Sequence, residues 1–151
     1  MKRQPKRSRR RREQNLQLWT LDRAKAAAPL IRSILTSLRE TILEAQAAHS
    51  TLRKLALKSG RPTRSDLIQT EEARQSLHRA EKQIEECNKE LDDLNIFSLN
   101  PMQGQLLIPF VHEEQLAWYI FDLFDSSPLR FWRLQEDSLE TRRPIDEKVS
   151  L

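Results

Sequence analysis

The densest group of chemically active side chains in this sequence is a run of cations near the N-terminus, within the segment KRSRRRR. Residues 1–12, which we call the N-terminal arm, contain no acid and eight basic residues: Lys2, Arg3, Lys6, Arg7, Arg9, Arg10, Arg11 and Arg12. Arginine-rich segments of this density bind phosphate backbones through charge, without reading base sequence. The arm therefore predicts binding to nucleic acid or another polyanion, and the alternative is a solvated tail.

The remaining chain carries a charge of the opposite sign. The whole sequence has 26 basic and 22 acidic residues and a formal net charge of +4. Without the eight cations of the arm, 18 basic residues stand against 22 acidic residues, so residues 13–151 carry a net charge of −4. The basic character is thus confined to the arm, and the folded part has no general basic character that would favour nucleic acid.

The histidines and the single cysteine lack the spacing that catalysis or metal binding requires. The segment HEEQL, which begins at His112, has no second histidine four residues on, as a zinc protease helix would. His49 and Cys87 fall on apolar helical stripes, where a hydrogen-bonded core histidine and a buried thiol are expected. Two glycines are too few for a phosphate-binding loop. The sequence predicts no catalytic residue, no metal site and no cofactor, and this favours a non-enzymatic protein.

Residues 20–95 are predicted to form a helical hairpin. Apolar residues recur at alternating spacings of four and three over residues 31–56 and again over residues 70–94, which keeps one apolar stripe on one face of each helix. The connecting segment KSGRPTRSD has Gly and Pro to end the first helix, and Ser65 or Asp66 to cap the second. Similar lengths and a short connection predict that the two helices are antiparallel.

A short lead-in helix is predicted ahead of the hairpin, in the segment LWTLDRAKAAAPLIRS. Thr20 is a suitable N-cap, and Pro29 would kink the chain or separate the lead-in helix from the long helix. Trp19 lies just before the cap, where it is placed to pack back on the rest of the domain.

Aromatic residues concentrate in the last third of the chain, where eight of the nine lie between positions 97 and 132. Aromatic and β-branched residues in short runs between turn residues are typical of strands. These runs predict strands at residues 105–111, 116–124 and 129–135, preceded by a short strand near 95–99. Short connections predict an antiparallel β-meander of three to four strands over residues 96–135. The strand at 116–124 is apolar on both faces, so one face should pack on the helices and the other on a partner or the C-terminal tail.

The predicted fold class is α+β, within one domain at residues 16–145. A disordered basic tail at residues 1–15 and a flexible C-terminus at residues 146–151 flank this domain. A single cysteine cannot form an internal disulfide, which is typical of a reducing compartment. No apolar run approaches the roughly 20 residues that span a bilayer. The sequence therefore predicts a cytoplasmic protein without a membrane segment.

The order of these segments resembles the uncharacterised bacterial family known as domain of unknown function 2203. The resemblance covers about residues 18–145 and rests on WTLDRAKAAAPLIRSIL, the helical hairpin, GQLLIPF, a strand ending in FW, and RRPI. Positions that match the family pattern are Gly104, Pro109, Phe110, Trp132, Arg142, Pro144 and Ile145. Leu107 and Ile108 stand where the family has Asp before an aromatic residue, and Arg133 stands where it has His. The resemblance implies the fold and, because the family has no established activity, no chemistry.

Two functions remain open on the sequence alone. The first is a non-enzymatic interaction module that forms a homodimer through its helical stripes and binds nucleic acid through the arm. The alternative is a small enzyme or ligand-binding domain with a site between hairpin and sheet, near Trp132 and Arg142, because arginine beside aromatic rings suits a phosphate, a carboxylate or a stacked base. Arg142 could instead only pin the C-terminal segment through an ion pair. Its candidate partners for that pair are Asp122, Asp125 and Glu140.

Overall fold

The structure of the protein, a computed structural model, describes residues 17–146. The N-terminal arm, with all eight predicted polyanion-binding residues, lies outside the described residues, and so do residues 147–151. The predicted disordered tail at residues 1–15 therefore lies outside them too, as does all but the first residue of the predicted flexible C-terminus.

Two long helices are followed by five strands. The helices are α1 (Leu21–Ala56) and α2 (Arg64–Asp93), and the strands are β1 (Phe97–Asn100), β2 (Gln105–His112), β3 (Gln115–Asp122), β4 (Leu129–Leu134) and β5 (Arg143–Pro144). The predicted α+β class is confirmed, since a helical hairpin precedes an antiparallel sheet. The sheet has five strands instead of three to four, because the two residues of β5 pair with β4. Neither of the described helices is long and apolar enough to cross a membrane.

Helix α1 begins directly after Thr20, and the prediction of a separate lead-in helix is wrong. The predicted cap is confirmed, because Thr20 Oγ1 accepts a hydrogen bond from the backbone N–H of Arg23 at 3.2 Å. The helix then continues through Pro29, although proline in a helix interior costs about 3 kcal/mol. Ala24 and Ile31, on either side of the proline, are fully buried in the core. This tertiary packing outweighs the local cost and keeps the helix continuous.

Helix α2 is capped by Thr63, and the prediction of Ser65 or Asp66 as the cap is wrong. Thr63 Oγ1 accepts a hydrogen bond from the N–H of Asp66 at 3.1 Å, and the Asp66 carboxylate accepts one from the N–H of Thr63 at 2.9 Å. This reciprocal pair is a capping box, which places the acid three residues after the cap. Lys58 Nζ also donates to Asp66 at 2.8 Å. The hydrogen bond from Lys58, followed by those from Thr63, lowers the pKa of the Asp66 carboxyl.

The apolar stripes of α1 and α2 pack on each other, and the seam between them changes along its length. Near the sheet it contains large or polarisable side chains: Ile31, Leu35, Leu38, Cys87 and Leu91. Toward the connection it contains small ones: Ala45, Ala48, Ala73 and Ala80.

Cys87 is buried in this seam as predicted, whereas His49 is exposed, and the prediction of a core histidine is wrong. A repeat with seven-residue spacing drifts by about 20° per heptad on a straight helix. The drift turns His49 toward solvent and brings its neighbour Ala48 into the seam.

The sheet is an antiparallel meander with the strand order β1-β2-β3-β4-β5. Strands β2 and β3 pair over their full lengths, from Gln105 opposite Asp122 to His112 opposite Gln115. Glu113 and Glu114 connect them, with φ angles of 49° and 67°. Two successive positive φ angles are typical of the tight hairpin turn that matches the twist of its strands. This turn fixes the register that places every aromatic residue of β2 and β3.

Both faces of the sheet are apolar, as the sequence of β3 predicts. The inner face shares one core cluster with the helices through Leu106, Ile108, Phe110, Ala117, Tyr119 and Phe121. The outer face forms a second cluster, in which Leu107, Trp118 and Ile120 pack with Leu99, Leu116 and Phe131. No helix residue of the described chain belongs to the outer cluster. The prediction that a partner or the C-terminal tail covers this face stays a prediction.

Candidate functional site

A pocket of about 640 Å³ opens between the start of α1 and the sheet. It is lined by residues 19–22 at the start of α1, by residues 110–112 of β2, by Tyr119 and Trp132, and by residues 144–146 at and after β5. Ligand pockets in proteins are typically 300–1,000 Å³ in volume, so this one is of ordinary size for a small molecule. It lies between hairpin and sheet and beside Trp132, where the alternative function predicts a site.

Trp19 holds the start of α1 against the sheet. Its backbone N–H donates to the carbonyl of Pro109 in β2 at 2.8 Å. Its indole Nε1 donates to the carbonyl of Leu94, directly after α2, at 3.0 Å. The side chain is 5% exposed, which confirms the prediction that it packs back on the domain. One residue thus connects three elements and fixes one side of the pocket.

The sheet supplies a contiguous set of aromatic rings to the pocket. Phe110 and Tyr119 are stacked, with ring centroids 3.8 Å apart and an interplanar angle of 6°. Trp132 meets Phe110 edge-on at 5.7 Å, and the His112 ring lies 4.4 Å from Trp132. Tyr119 and Trp132 are paired across β3 and β4 in the register. Side chains alternate along a strand, so these four residues share the inner face at its edge.

The charged side chains that line the pocket are acidic. Asp22, in the first turn of α1, and Asp146, after β5, both line it. Burial, and secondarily the charge of Asp22, raises the pKa of Tyr119 above its usual value. The Tyr119 hydroxyl is therefore neutral at physiological pH, and the carboxylate of Asp22 acts on it from the start of α1.

Two arginines lie over the tryptophan rings of the pocket. The Arg23 guanidinium is 4.4 Å from the ring centroid of Trp19, and that of Arg143 is 5.4 Å from the ring centroid of Trp132. Arg143 is held there by Asp137, through hydrogen bonds of 2.8 Å from Nε and 2.9 Å from Nη2. The hydrogen bonds from Arg143, and next the one from the backbone N–H of Leu134, lower the pKa of the Asp137 carboxyl to about 2. Asp137 is therefore ionised at neutral pH and balances the charge of Arg143.

Four of the seven family-pattern residues of the sequence come together in this pocket, namely Phe110, Trp132, Pro144 and Ile145. Pro109 is buried and contributes the carbonyl that binds Trp19. Gly104 lies outside the pocket, with a φ of +73°, and a Cβ atom there would be 2.9 Å from Leu123 Cβ. Glycine is needed at this position for both reasons.

Arg142, the remaining family-pattern residue, does not line the pocket, and it makes none of the predicted ion pairs. Its Nη1 donates to the carbonyls of Leu139 at 2.8 Å and Thr141 at 2.9 Å. The turn before β5 brings these carbonyls next to the guanidinium, so Arg142 stabilises its own loop. Asp125, one of the predicted partners, pairs with Arg130 at 3.0 Å instead.

The three departures from the family pattern occupy buried positions. Ile108 lies in the main core and Leu107 in the outer cluster. Arg133 is only 5% exposed, lies opposite Trp118 in the register, and donates from Nη1 to the carbonyls of Leu134 and Asp137. Its Nε has no hydrogen-bond partner among the described residues. None of the three lines the pocket.

The remaining histidines and the cysteine lie away from the pocket. His49 and His78 are exposed on the helices, whereas His112 lines the pocket. Cys87 Sγ is 3.8 Å from Ser37 Oγ in the helical seam. Across residues 17–146, no three His, Cys, Asp or Glu side chains are placed so that they could hold a metal ion.

A second charged surface lies at the connection of the hairpin, and the sequence prediction missed it. This surface, which we call the hairpin tip, has five exposed cations: Arg53, Lys54, Lys58, Arg61 and Arg64. The segment 53–66 contains one acid, Asp66, which pairs with Lys58. Leu57 at the tip is 78% exposed. A charge count in a short window would have revealed the tip, but the net charge of −4 over residues 13–151 conceals it.

Nothing among protein-family models, curated proteins or solved structures matches this chain. Membership of domain of unknown function 2203 therefore stays a prediction that rests on the order and spacing of the quoted segments. The function must follow from the charges, surfaces and pocket of the chain itself.

Proposed function

We propose that the protein is a non-enzymatic interaction module that binds nucleic acid electrostatically, through its N-terminal arm and its hairpin tip. The observation that supports this function is the separation of charge along the chain. The arm carries eight cations and no acid, and segment 53–66 carries five cations and one acid. The remaining residues therefore have a net charge of −8. A nucleic-acid partner is compatible with the predicted cytoplasmic location.

The hairpin places the tip away from the acidic residues near the sheet. The part of α1 that packs with the sheet ends near Leu38, and Arg53 lies 15 residues farther along the same helix. At 1.5 Å per residue this separation is about 22 Å, which is more than two Debye lengths at physiological ionic strength. The tip cations can therefore approach phosphates without strong repulsion from the acidic residues near the sheet.

The experiment is fluorescence anisotropy of labelled duplex DNA and single-stranded RNA over a salt series, with four full-length proteins. The arm-neutral variant replaces all eight arm cations with Gln, and the tip-neutral variant replaces Arg53, Lys54, Arg61 and Arg64 with Gln. Lys58 is kept because it pairs with Asp66. The matched control replaces four exposed cations elsewhere on the helices, Arg32, Arg74, Lys82 and Lys89, with Gln.

The logarithm of the binding constant falls with the logarithm of salt concentration by about 0.9 per neutralised phosphate on duplex DNA. We expect a slope of about −11 for the wild type, in which twelve cations engage, about −7 for the tip-neutral variant and about −4 for the arm-neutral variant. The control should keep the wild-type slope. A control slope as shallow as that of the tip-neutral variant would mean that only net charge matters, and absence of binding at moderate salt would refute the function.

We further propose self-association through the helical stripes, as part of the same function. Leu52 and Leu77 lie on the two stripes, are half-buried, and belong to neither core cluster. The seam beside them consists of alanines, so the single hairpin leaves these leucines incompletely packed. A second hairpin could cover them in a four-helix arrangement, which is a common solution for amphipathic helices.

A further inference from the structure

We propose that the pocket between the start of α1 and the sheet binds a small organic cation, such as an alkylated ammonium ion. This inference is independent of the proposed nucleic-acid binding, which rests on the arm and the hairpin tip. Three features of the pocket support it: its aromatic lining, its acidic side chains and its volume.

The aromatic lining matches the chemistry that recognises organic cations in water. The face of an aromatic ring is negative, and it attracts a cation within about 6 Å of its centroid, with tryptophan the strongest. Tyr119, Phe110 and Trp132 form a contiguous set with centroid separations of 3.8 Å and 5.7 Å. A ligand that contacts one of these rings therefore lies within reach of the others. An alkylated ammonium ion also gains from burial of its methyl groups against the rings.

The tryptophans of the pocket already contact cations of the protein itself. Arg23 lies over Trp19 at 4.4 Å, and Arg143 lies over Trp132 at 5.4 Å. Neither arginine is among the residues that line the pocket. Trp132, which lies beside Arg143 and His112, is only partly buried and lines the pocket, so part of its ring remains accessible to a ligand. Because Arg143 is neutralised by Asp137 at 2.8 Å, its charge does not strongly oppose a second cation.

The charges that line the pocket favour a cation over an anion. Among residues 17–146, Asp22 and Asp146 line it, and no lysine or arginine does. The charge of Asp22 acts on Tyr119, since it contributes to the raised pKa of that residue. The N-terminus of α1 would favour an anion, but Thr20 caps it and Asp22 sits in its first turn. A phosphate in this pocket would be repelled by the carboxylate of Asp22.

The volume allows a ligand larger than a single ammonium group. The pocket measures about 640 Å³, which is within the range of pockets that hold cofactors and metabolites. The chain itself contains a second source of the same chemistry, because the arm is rich in guanidinium groups and ends at Arg12, seven residues before Trp19 in the sequence. The experiment must therefore distinguish a free ligand from the arm.

The test compares choline with 3,3-dimethylbutan-1-ol, its uncharged analogue of equal shape, by calorimetric titration of the full-length protein at pH 8. We expect choline to bind at least about tenfold more tightly than the alcohol, because cation–π contacts and the carboxylates act only on the charged ligand. Equal affinities would refute a cation site. The same titrations on the arm-neutral variant identify the source: if choline binds only to that variant, the cation that occupies the pocket is a guanidinium of the arm.

The proposal would be overturned if neither choline nor the alcohol bound to the wild-type protein or to the arm-neutral variant. Asp22→Asn should weaken choline binding about fivefold and leave the alcohol unchanged, because it removes one charge near the ligand and keeps the side-chain shape. Glu81→Gln is the matched control, since it removes an exposed acid in the middle of α2 and should change neither affinity. Equal losses in both variants would indicate a general charge effect and overturn the assigned site.

Trp132→Leu should weaken choline binding by at least about tenfold, because the strongest cation-binding ring is lost. Circular dichroism of this variant checks that the sheet is retained. If Trp132→Leu does not fold, the Asp22→Asn titrations alone test the cation site. Asp22 is exposed at the helix start, so its replacement leaves the core intact. A folded Trp132→Leu variant with unchanged choline affinity would contradict the proposal.

Discussion

Trp132 serves the core and the pocket at the same time. Its ring meets Phe110 edge-on within the inner face and lies under Arg143, which Asp137 holds in place. The sequence identifies Trp132 through the FW step of β4. It does not identify Tyr119 as a neighbour, because that contact depends on the register between β3 and β4.

Gly104 gives a prediction at the residue scale. Gly104→Ala should lower the free energy of unfolding by about 2 to 4 kcal/mol, because a side chain is strained at a φ of +73° and its Cβ would collide with Leu123 and Phe124. Urea unfolding followed by circular dichroism measures this change.

Gly60 provides the matched control for Gly104. It has a φ of +89°, but a Cβ there would meet no atom within 4 Å. Gly60→Ala should therefore lower the free energy of unfolding by about 1 kcal/mol, which is the cost of the strained backbone alone. Equal costs for the two substitutions would show that the close contact at Gly104 does not matter.

At the scale of elements, some features of α1 and α2 follow from local sequence signals, and others follow from tertiary packing. The capping box at Thr63 is a local signal, since an acid follows the cap at the third position. The continuity of α1 through Pro29 is not local, because it depends on burial of the helix on either side. The cap of α2 is therefore a local signal, although the prediction placed it at Ser65 or Asp66 instead of Thr63, whereas the uninterrupted α1 is not local.

The capping box yields a prediction that separates the observed cap from the expected one. Thr63→Ala should destabilise the protein by about 1 kcal/mol, because the N–H of Asp66 loses its acceptor. Ser65→Ala should change stability by less than about 0.5 kcal/mol, since Ser65 lies inside the exposed first turn. Thermal and urea unfolding of both variants provide the comparison. A larger cost for Ser65→Ala would contradict the assigned cap.

For the whole molecule, the main feature is that unlike charges occupy different ends. The hairpin tip is basic, and the end with the sheet and the pocket is predominantly acidic, with Asp22 and Asp146 at the pocket. The two proposals accordingly place a polyanion at one end and an organic cation at the other. The long hairpin keeps the two surfaces apart.

Self-association is the prediction at this scale. Light scattering coupled to gel filtration should give twice the chain mass at high protein concentration. Leu77→Gln should shift the protein toward the monomer, because it places an amide on the stripe that the second hairpin would cover. Leu30→Gln is the control, since Leu30 is 52% exposed and lies off the stripes. A wild-type protein that stays monomeric at high concentration would remove self-association from the proposed function.

The sequence by itself determined the helical hairpin, the antiparallel meander and the basic arm. Periodicity, turn residues and charge runs are local properties, and each is visible within a few turns or strands. Only the tertiary structure decided the pocket and the seam. The pocket joins Trp19 and Asp22 to Tyr119 and Trp132, which are about a hundred residues away along the chain. The registers of β2 with β3 and of β3 with β4 place the two rings, and the hydrogen bond from Trp19 to Pro109 places the start of α1 beside them. Small rotations along α1 determined which stripe residues are buried, since a seven-residue repeat does not match the helical period.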